Sequence, residues 1–218
     1  MNSLRVFFRG GMTSYRALFG WLNPWVAVPM FVIAPLFQLL FAYLGRATDV
    51  ASDTYFVVGN ALLAASLPGI LGVSGSVSGE RFTRTLGMLL ASPANRLALF
   101  LGRTLPAMAN GFVVSAFCLV SGALVLDVHI AAAAVPGLLL VIVVSAFSCS
   151  ALGLCTGALG LRMRNVISVA WVFQPVLLLV SGANVPRDRL PDWLQAIGSG
   201  LPLMHGISAA RSYSYIGI

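Results

Sequence analysis

The stretch GERFTRTLGMLLASPANRLALFLGR, residues 79–103, interrupts a chain that is otherwise built from long apolar runs. It carries one acid, four arginines and a Ser-Pro pair, and it is the longest polar interruption in the N-terminal half. The runs on either side are long enough to cross a bilayer, which takes about 20 residues per helix. The stretch therefore predicts a polar elbow between two membrane-spanning helices.

The composition is that of an integral membrane protein. Of 218 residues, 59% are hydrophobic and 9% charged, and the mean hydropathy is +0.94, far above the values of soluble domains. This length holds about five or six spans with short loops, which leaves no room for a soluble catalytic domain. Period-two alternation, which marks transmembrane strands, is absent from the sequence. We expect an all-α membrane protein with a single domain over residues 1–218.

The predicted elements follow from the apolar runs. Residues 1–24 are expected to form an interfacial helix, with arginines on one face and apolar side chains on the other. Five spans are predicted at 25–44, 54–78, 104–126, 131–161 and 166–182. Residues 181–205 are too polar and proline-rich to span, so we expect a short helix that dips at the interface. Residues 204–218 would then lie outside, and a sixth span would be missing from the chain as given.

Two pairs of glycines have the four-residue spacing that lets membrane helices approach closely. They are Gly75 with Gly79 and Gly153 with Gly157. Each pair is a candidate for a helix contact, although glycine-rich spans are common.

The arginines predict the orientation. Nine lie at the N-terminus, in the elbow or in the loop after residue 161, whereas four lie on the opposite side with five of the six acids. Because cytoplasmic loops are rich in Lys and Arg, the N-terminus and the elbow are predicted to be cytoplasmic, in the plasma membrane.

Within the elbow, residues 81–90 have the pattern of an amphipathic surface helix. Ser92 and Pro93 fit the N-cap and first position of a second helix that enters the membrane. A break of this kind is suited to transmit a push from a cytoplasmic partner. A plain topogenic loop is the alternative.

The residue types exclude several kinds of chemistry. The chain has no lysine, so it cannot form a P-loop. The three cysteines lie in apolar runs without metal-ligand spacing, and His129 and His205 lack clustered partners, so we expect no catalytic residue, metal or cofactor in this chain. The basic residues are dispersed, which argues against nucleic acid. An ion-coupled secondary transporter or channel is disfavoured because all acids sit at span ends. A structural scaffold stays open.

Four polar side chains lie inside predicted spans, where they are costly unless they face protein or a cavity. They are candidates for a substrate path, with helix-to-helix hydrogen bonding as the commoner use: Gln38, Asn60, Asn110 and Gln174.

Two motifs resemble the ABC-2 type transporter permeases, the membrane subunits of one class of ATP-driven exporters. The first is the cytoplasmic signature Glu80-Arg81, Thr85-Leu86, Leu89-Leu90-Ala91-Ser92-Pro93, Arg96 and Gly102-Arg103. The second is Ser181-Gly182, Pro186, Leu190-Pro191, Trp193-Leu194, Pro202 and His205, which is similar to the family's external re-entrant segment. Arg84 and Gly87 depart from the pattern, as does the missing sixth span.

The resemblance implies a half-transporter that pairs with a second copy or a sister permease and binds an ABC ATPase subunit, which would hold ATP and Mg²⁺. Residues 79–103 would be the coupling elbow, with contacts from Glu80, Arg81, Phe82, Arg84, Leu86, Leu89, Pro93 and Arg96. The external re-entrant segment would use Pro186, Leu190, Pro191 and Trp193. The expected cargo is a hydrophobic drug or antibiotic, or a lipid; a lipid-linked glycan or polysaccharide is the alternative.

Overall fold

The computed structural model describes residues 3–21, 24–82, 87, 91, 95–162 and 166–216, and all regular structure in that part of the chain is helical. The expected all-α architecture is therefore confirmed. In chain order the helices are α1 (Ser3–Trp21), α2 (Pro24–Thr48), α3 (Asp53–Leu67), α4 (Val73–Phe82), α5 (Arg96–Gly102), α6 (Thr104–Val125), α7 (Val135–Arg162), α8 (Val166–Val180), α9 (Asp192–Ser199) and α10 (Pro202–Ile216).

Four helical stretches in the described part are long and apolar enough to cross a membrane: Phe31–Thr48, Asp53–Val77, Phe100–Val125 and Ala132–Leu159. They coincide with the first four predicted spans. The fifth predicted span corresponds to α8, which has 15 residues and is thus about 22 Å long.

The centre of the bundle is α3. All residues from Phe56 to Ser66 are buried, and α2, α6, α7 and α10 pack around them. Because α3 is apolar on all sides, it can pack against neighbouring helices around its whole surface. Pro68 has no backbone N–H to donate, so the regular α-helical hydrogen-bond pattern is interrupted there. A π-helical turn, Pro68–Gly72, joins α3 to α4.

The outer faces of α2, α6 and α7 are apolar and exposed. Leu36 on α2, Leu124 on α6 and Leu140 on α7 are more than half exposed, at 57%, 77% and 63%. In water such continuous apolar surface would be unfavourable, whereas hydrocarbon covers it without cost. These faces therefore have the apolar composition expected of helices in a bilayer.

One of the two predicted glycine pairs makes a close helix contact. On α7, a Cβ at Gly153 would collide with the backbone oxygen of Gly69, and one at Gly157 would lie 3.1 Å from Cβ of Val77. The expectation for Gly75 is wrong within this chain, because a Cβ there meets nothing within 4 Å. The spacing is the same in both pairs, but Gly153 and Gly157 face a neighbouring helix whereas Gly75 does not. The surroundings of Gly79 lie outside the described part of the chain.

The C-terminal region forms two helices rather than the single short helix that the sequence predicts. After α9 the chain turns at residues 200–201 and α10 packs against α3 and α7. Near its start, Gly206 faces Ser145 in the middle of α7, while Tyr213 lies against Gly137 near the beginning of α7. Helix α10 is therefore antiparallel to α7 and packs on the bundle. That residues 204–218 lie outside the membrane stays a prediction.

Candidate functional site

The longest described parts of the elbow are the last turn of α4 and the helix α5. Helix α4 ends at Phe82 and α5 begins at Arg96. The backbone N–H of Ala98 donates to Oδ1 of Asn95 at 3.4 Å, which satisfies one of the free donors in the first turn of α5. Asn95 thus caps the first turn of α5. Ser92, the predicted N-cap, lies outside the described residues, so its role stays a prediction.

The structure describes the side chain of none of the eight predicted coupling residues. Glu80, Arg81 and Phe82 form the last turn of α4 and Arg96 is the first residue of α5, but the structure describes only their backbone. The others, Arg84, Leu86, Leu89 and Pro93, lie outside the described residues. Their role as coupling residues stays a prediction.

An arginine at the start of the next span connects the helices on the two sides of the elbow. Arg103 sits in the turn between α5 and α6, and its Nη1 donates to the backbone oxygen of Ser76 on α4 at 3.1 Å. Its guanidinium also lies 5.8 Å from the centre of the Phe100 ring. The sequence places Arg103 at the end of the elbow but does not reveal this contact, because the partner is a backbone carbonyl 27 positions away.

A buried polar cluster lies at the opposite end of the bundle, between α3 and residues 181–184. Nδ2 of Asn60 donates to Oδ1 of Asn184 at 2.7 Å and to the Phe56 oxygen at 3.0 Å. Asn184 is 7% exposed, and its own Nδ2 has no hydrogen-bond partner in the described part of the chain. Asn60 is thus used to join α3 to the segment after α8.

Arg211 and Tyr55 continue this cluster. Nη2 of Arg211 donates to the oxygens of Ala183 at 3.0 Å and Tyr55 at 3.3 Å, and its guanidinium stacks on the Tyr55 ring at 3.3 Å. The Tyr55 hydroxyl donates to the oxygen of Gly182 at 2.8 Å. Gly182 has a φ of 75°, a left-handed conformation that glycine adopts without steric cost. The cluster thereby fixes α10 and residues 182–184 to α3.

The other predicted path residues lie elsewhere. Gln38 is fully buried; its Nε2 donates to the Val57 oxygen at 3.4 Å, and its Oε1 accepts from Sγ of Cys118 at 2.7 Å. Asn110 and Gln174 are half-buried on α6 and α8. The four residues therefore lie on four different helices. Gln38 bonds two neighbouring helices, whereas Asn60 bonds its own helix and the segment after α8.

A groove of about 390 Å³ lies between α7 and α10. Its lining is apolar apart from Ser145, Ser148 and His205, and Nε2 of His205 lies 2.8 Å from the oxygen of Ser199. The sequence predicts His205 in an external segment, whereas the structure places it beside the middle of α7. In the described part of the chain no group of three or more His, Cys, Asp or Glu is arranged to hold a metal ion.

The predicted re-entrant residues divide between core and surface. Leu190 is buried, Pro186 is half-buried and accepts from the N–H of Arg189 at 3.0 Å, and Pro191 precedes α9 at an exposed position. Trp193 is 64% exposed. Leu190 therefore anchors the segment to the bundle, while Trp193 faces outward.

Comparison with known proteins covers almost the whole chain. A profile of the ABC-2 type transporter family matches residues 11–215, which includes both flanks of the elbow, the polar cluster and α10. No curated protein and no solved structure gives a significant match to the chain. Because the family match extends from α1 to the end of α10, the chain belongs to the ABC-2 type transporter family and is a permease subunit of an ABC transporter.

Proposed function

We propose that the chain is the membrane-spanning subunit of an exporter that moves a hydrophobic drug or antibiotic, or a lipid, outward across the plasma membrane. A separate ABC ATPase subunit would bind ATP and Mg²⁺, and a second copy or a sister permease would complete the transporter. The N-terminus and the elbow would face the cytoplasm, where nine arginines gather, as the positive-inside pattern predicts.

The observation that carries this proposal is the way the elbow joins the bundle. On its N-terminal side the elbow continues into α4 and α3, and 83% of the residues in an 18-residue stretch of that span, Asp53–Val77, are buried. On its C-terminal side it continues through α5 into α6. Arg103 bonds the two sides to each other. A force applied to residues 79–96 would therefore reach α3, the helix around which α2, α6, α7 and α10 pack.

The polar cluster supplies the contacts that such a movement would change. Arg211, Tyr55 and Asn60 hold α10 and residues 182–184 against α3 at the end of the bundle away from the elbow. A shift of α3 alters these bonds, so the two ends are linked through one helix. Coupling then requires that nucleotide and cargo each favour one of the two arrangements.

The apolar surfaces support a hydrophobic cargo. The groove between α7 and α10 has only three polar side chains in its lining, and the outer faces around it are exposed Leu, Val and Phe. A pocket of this kind binds apolar ligands and uses a few polar groups to orient them. A glycan would need a far more polar path.

The test is co-purification of the permease with its ATPase subunit, followed by ATP hydrolysis in nanodiscs. Arg81→Glu with Arg84→Glu should weaken association about tenfold or more, because two charges would oppose the ATPase surface they normally complement. The matched control is Arg187→Glu with Arg189→Glu, which makes the same charge change at the other end of the bundle and should leave association intact.

A second variant separates binding from transmission. Arg103→Gln removes the bond to Ser76 but leaves the elbow surface in place. We expect normal association of the ATPase and a loss of cargo-stimulated hydrolysis. If the elbow substitutions leave association and hydrolysis unchanged, the coupling proposal is wrong.

A further inference from the structure

Helix α1 has one side packed on the bundle and one side exposed. The packed side is close-fitting: a Cβ at Gly11 would lie 2.7 Å from Cδ1 of Leu105 and 3.0 Å from the oxygen of Gly102. On the other side Phe8 and Met12 are 63% and 60% exposed, and Tyr15 is 39% exposed. These three follow each other at intervals of four and three residues, so they form one apolar stripe along the helix.

Two arginines run along the edge of this stripe. Arg5 and Arg9 are both exposed and lie one helical turn apart. At about 100° per residue, Arg5 is about 20° from Met12 around the helix axis and Arg9 about 60°. The exposed side of α1 therefore combines an apolar stripe with a cationic edge.

The position of α1 determines what can cover this face. It docks where α5 meets α6, at the end of the bundle that the sequence predicts to be cytoplasmic because nine arginines and one acid fall there. An apolar stripe is not stable in water, and a cationic edge is not stable in hydrocarbon. An anionic lipid leaflet meets both requirements, because its acyl chains are apolar and its headgroups, at the adjacent depth, are negatively charged.

We propose that this face of α1 is a docking surface for anionic phospholipid. Phe8, Met12 and Tyr15 insert among the acyl chains, and the guanidinium groups of Arg5 and Arg9 bind the phosphates of the headgroups. Arginine suits this role because its fork of N–H donors matches two phosphate oxygens at once. The surface does not include the predicted coupling residues of the elbow, and it goes beyond the exporter function.

The experiment measures lipid binding to the purified full chain in detergent. Thr13, which is exposed beside the arginine edge, is changed to Cys and labelled with an environment-sensitive fluorophore in a Cys155→Ser background, since Cys118 and Cys149 are buried. Short-chain phosphatidylglycerol and phosphatidylcholine are then titrated separately. We expect a clear preference for phosphatidylglycerol.

Three variants test the assignment of roles. Arg5→Gln with Arg9→Gln should weaken phosphatidylglycerol binding about thirtyfold, since each basic residue near an anionic surface contributes about fivefold, and should leave phosphatidylcholine binding unchanged. Arg5→Lys with Arg9→Lys should retain most of the preference. Phe8→Ala should weaken the binding of both lipids alike. Arg187→Gln with Arg189→Gln is the matched control at the opposite end and should change neither lipid's binding.

Equal affinity for the two lipids, or an unchanged preference in the Arg5→Gln, Arg9→Gln variant, would overturn the proposal. So would a variant that loses the ATPase subunit but binds both lipids as before, because the face would then be a protein contact. Failure of the coupling proposal gives a different pattern, since charge reversal at Arg81 and Arg84 leaves lipid preference at α1 intact.

Discussion

At the level of single residues, two buried amide side chains, Asn60 and Gln38, join separate parts of the bundle. Asn60 bonds Asn184 across 124 positions of sequence, and Gln38 bonds partners on α3 and α6. Hydropathy alone identifies both as costly in a span, but it cannot separate a cavity-lining role from a helix contact. That distinction depends on the partner, which only the folded arrangement supplies.

A double-mutant cycle measures the Asn60 to Asn184 bond. We expect Asn60→Ala and Asn184→Ala to be coupled by about 1 kcal/mol, the range found for hydrogen bonds between membrane helices. The measurement is reversible unfolding in mixed micelles. The control cycle pairs Asn60→Ala with Ser199→Ala, whose hydroxyl bonds the Ala196 oxygen on its own helix, and should show no coupling. A similar coupling in both cycles would contradict the assignment.

At the level of elements, the contact between α4 and α7 depends on small residues. Gly153 and Gly157 let α7 approach Gly69, Val73 and Val77. The Ser74 hydroxyl then reaches the Gly153 oxygen at 3.0 Å and the Thr156 hydroxyl at 2.5 Å. Close backbone approach and hydrogen bonding across the contact replace the hydrophobic driving force that lipid does not provide.

This contact predicts different effects on stability when Gly153 and Gly75, each the first glycine of a pair with four-residue spacing, are changed to alanine. Gly153→Ala places a methyl against the Gly69 backbone and should destabilise the protein by about 1–3 kcal/mol, as overpacking does. Gly75→Ala enters open space and should be neutral, or stabilising by up to about 1 kcal/mol through helix propensity. Thermal unfolding in detergent, followed by size-exclusion chromatography, compares them. Equal effects would show that the contact is not where the structure places it.

At the level of the whole molecule, the direction of α10 is the feature that most affects the topology. Helix α10 begins beside the middle of α7 and ends near the start of α3. Hydropathy did not predict α10, because Pro202–Ile216 contains polar residues and is shorter than a span. Its buried side, which includes Leu203, Ile207 and Ala210, appears only when α3 and α7 are in place.

A cysteine pair tests this direction. A Cβ at position 206 would lie 3.7 Å from Cβ of Ser145, within the range that a disulfide requires. Ser145→Cys with Gly206→Cys, on a background without native cysteines, should therefore crosslink on oxidation. Ser145→Cys with Tyr213→Cys is the control and should not crosslink, because Tyr213 packs near Gly137. Mass spectrometry of the digested protein reports the link, and crosslinking of the control pair alone would reverse the direction of α10.

The sequence by itself determined the segmentation of this protein. Apolar runs, arginine counts and the elbow depend on residues close together in the chain, and they were sufficient for the helical class, the first four spans and the resemblance to a permease. Only the tertiary structure decided which glycine pair is packed, that Arg103 bonds α4, and that α10 returns along α7. The physical reason is that these features depend on which faces meet, and the residues involved lie from 27 to 156 positions apart.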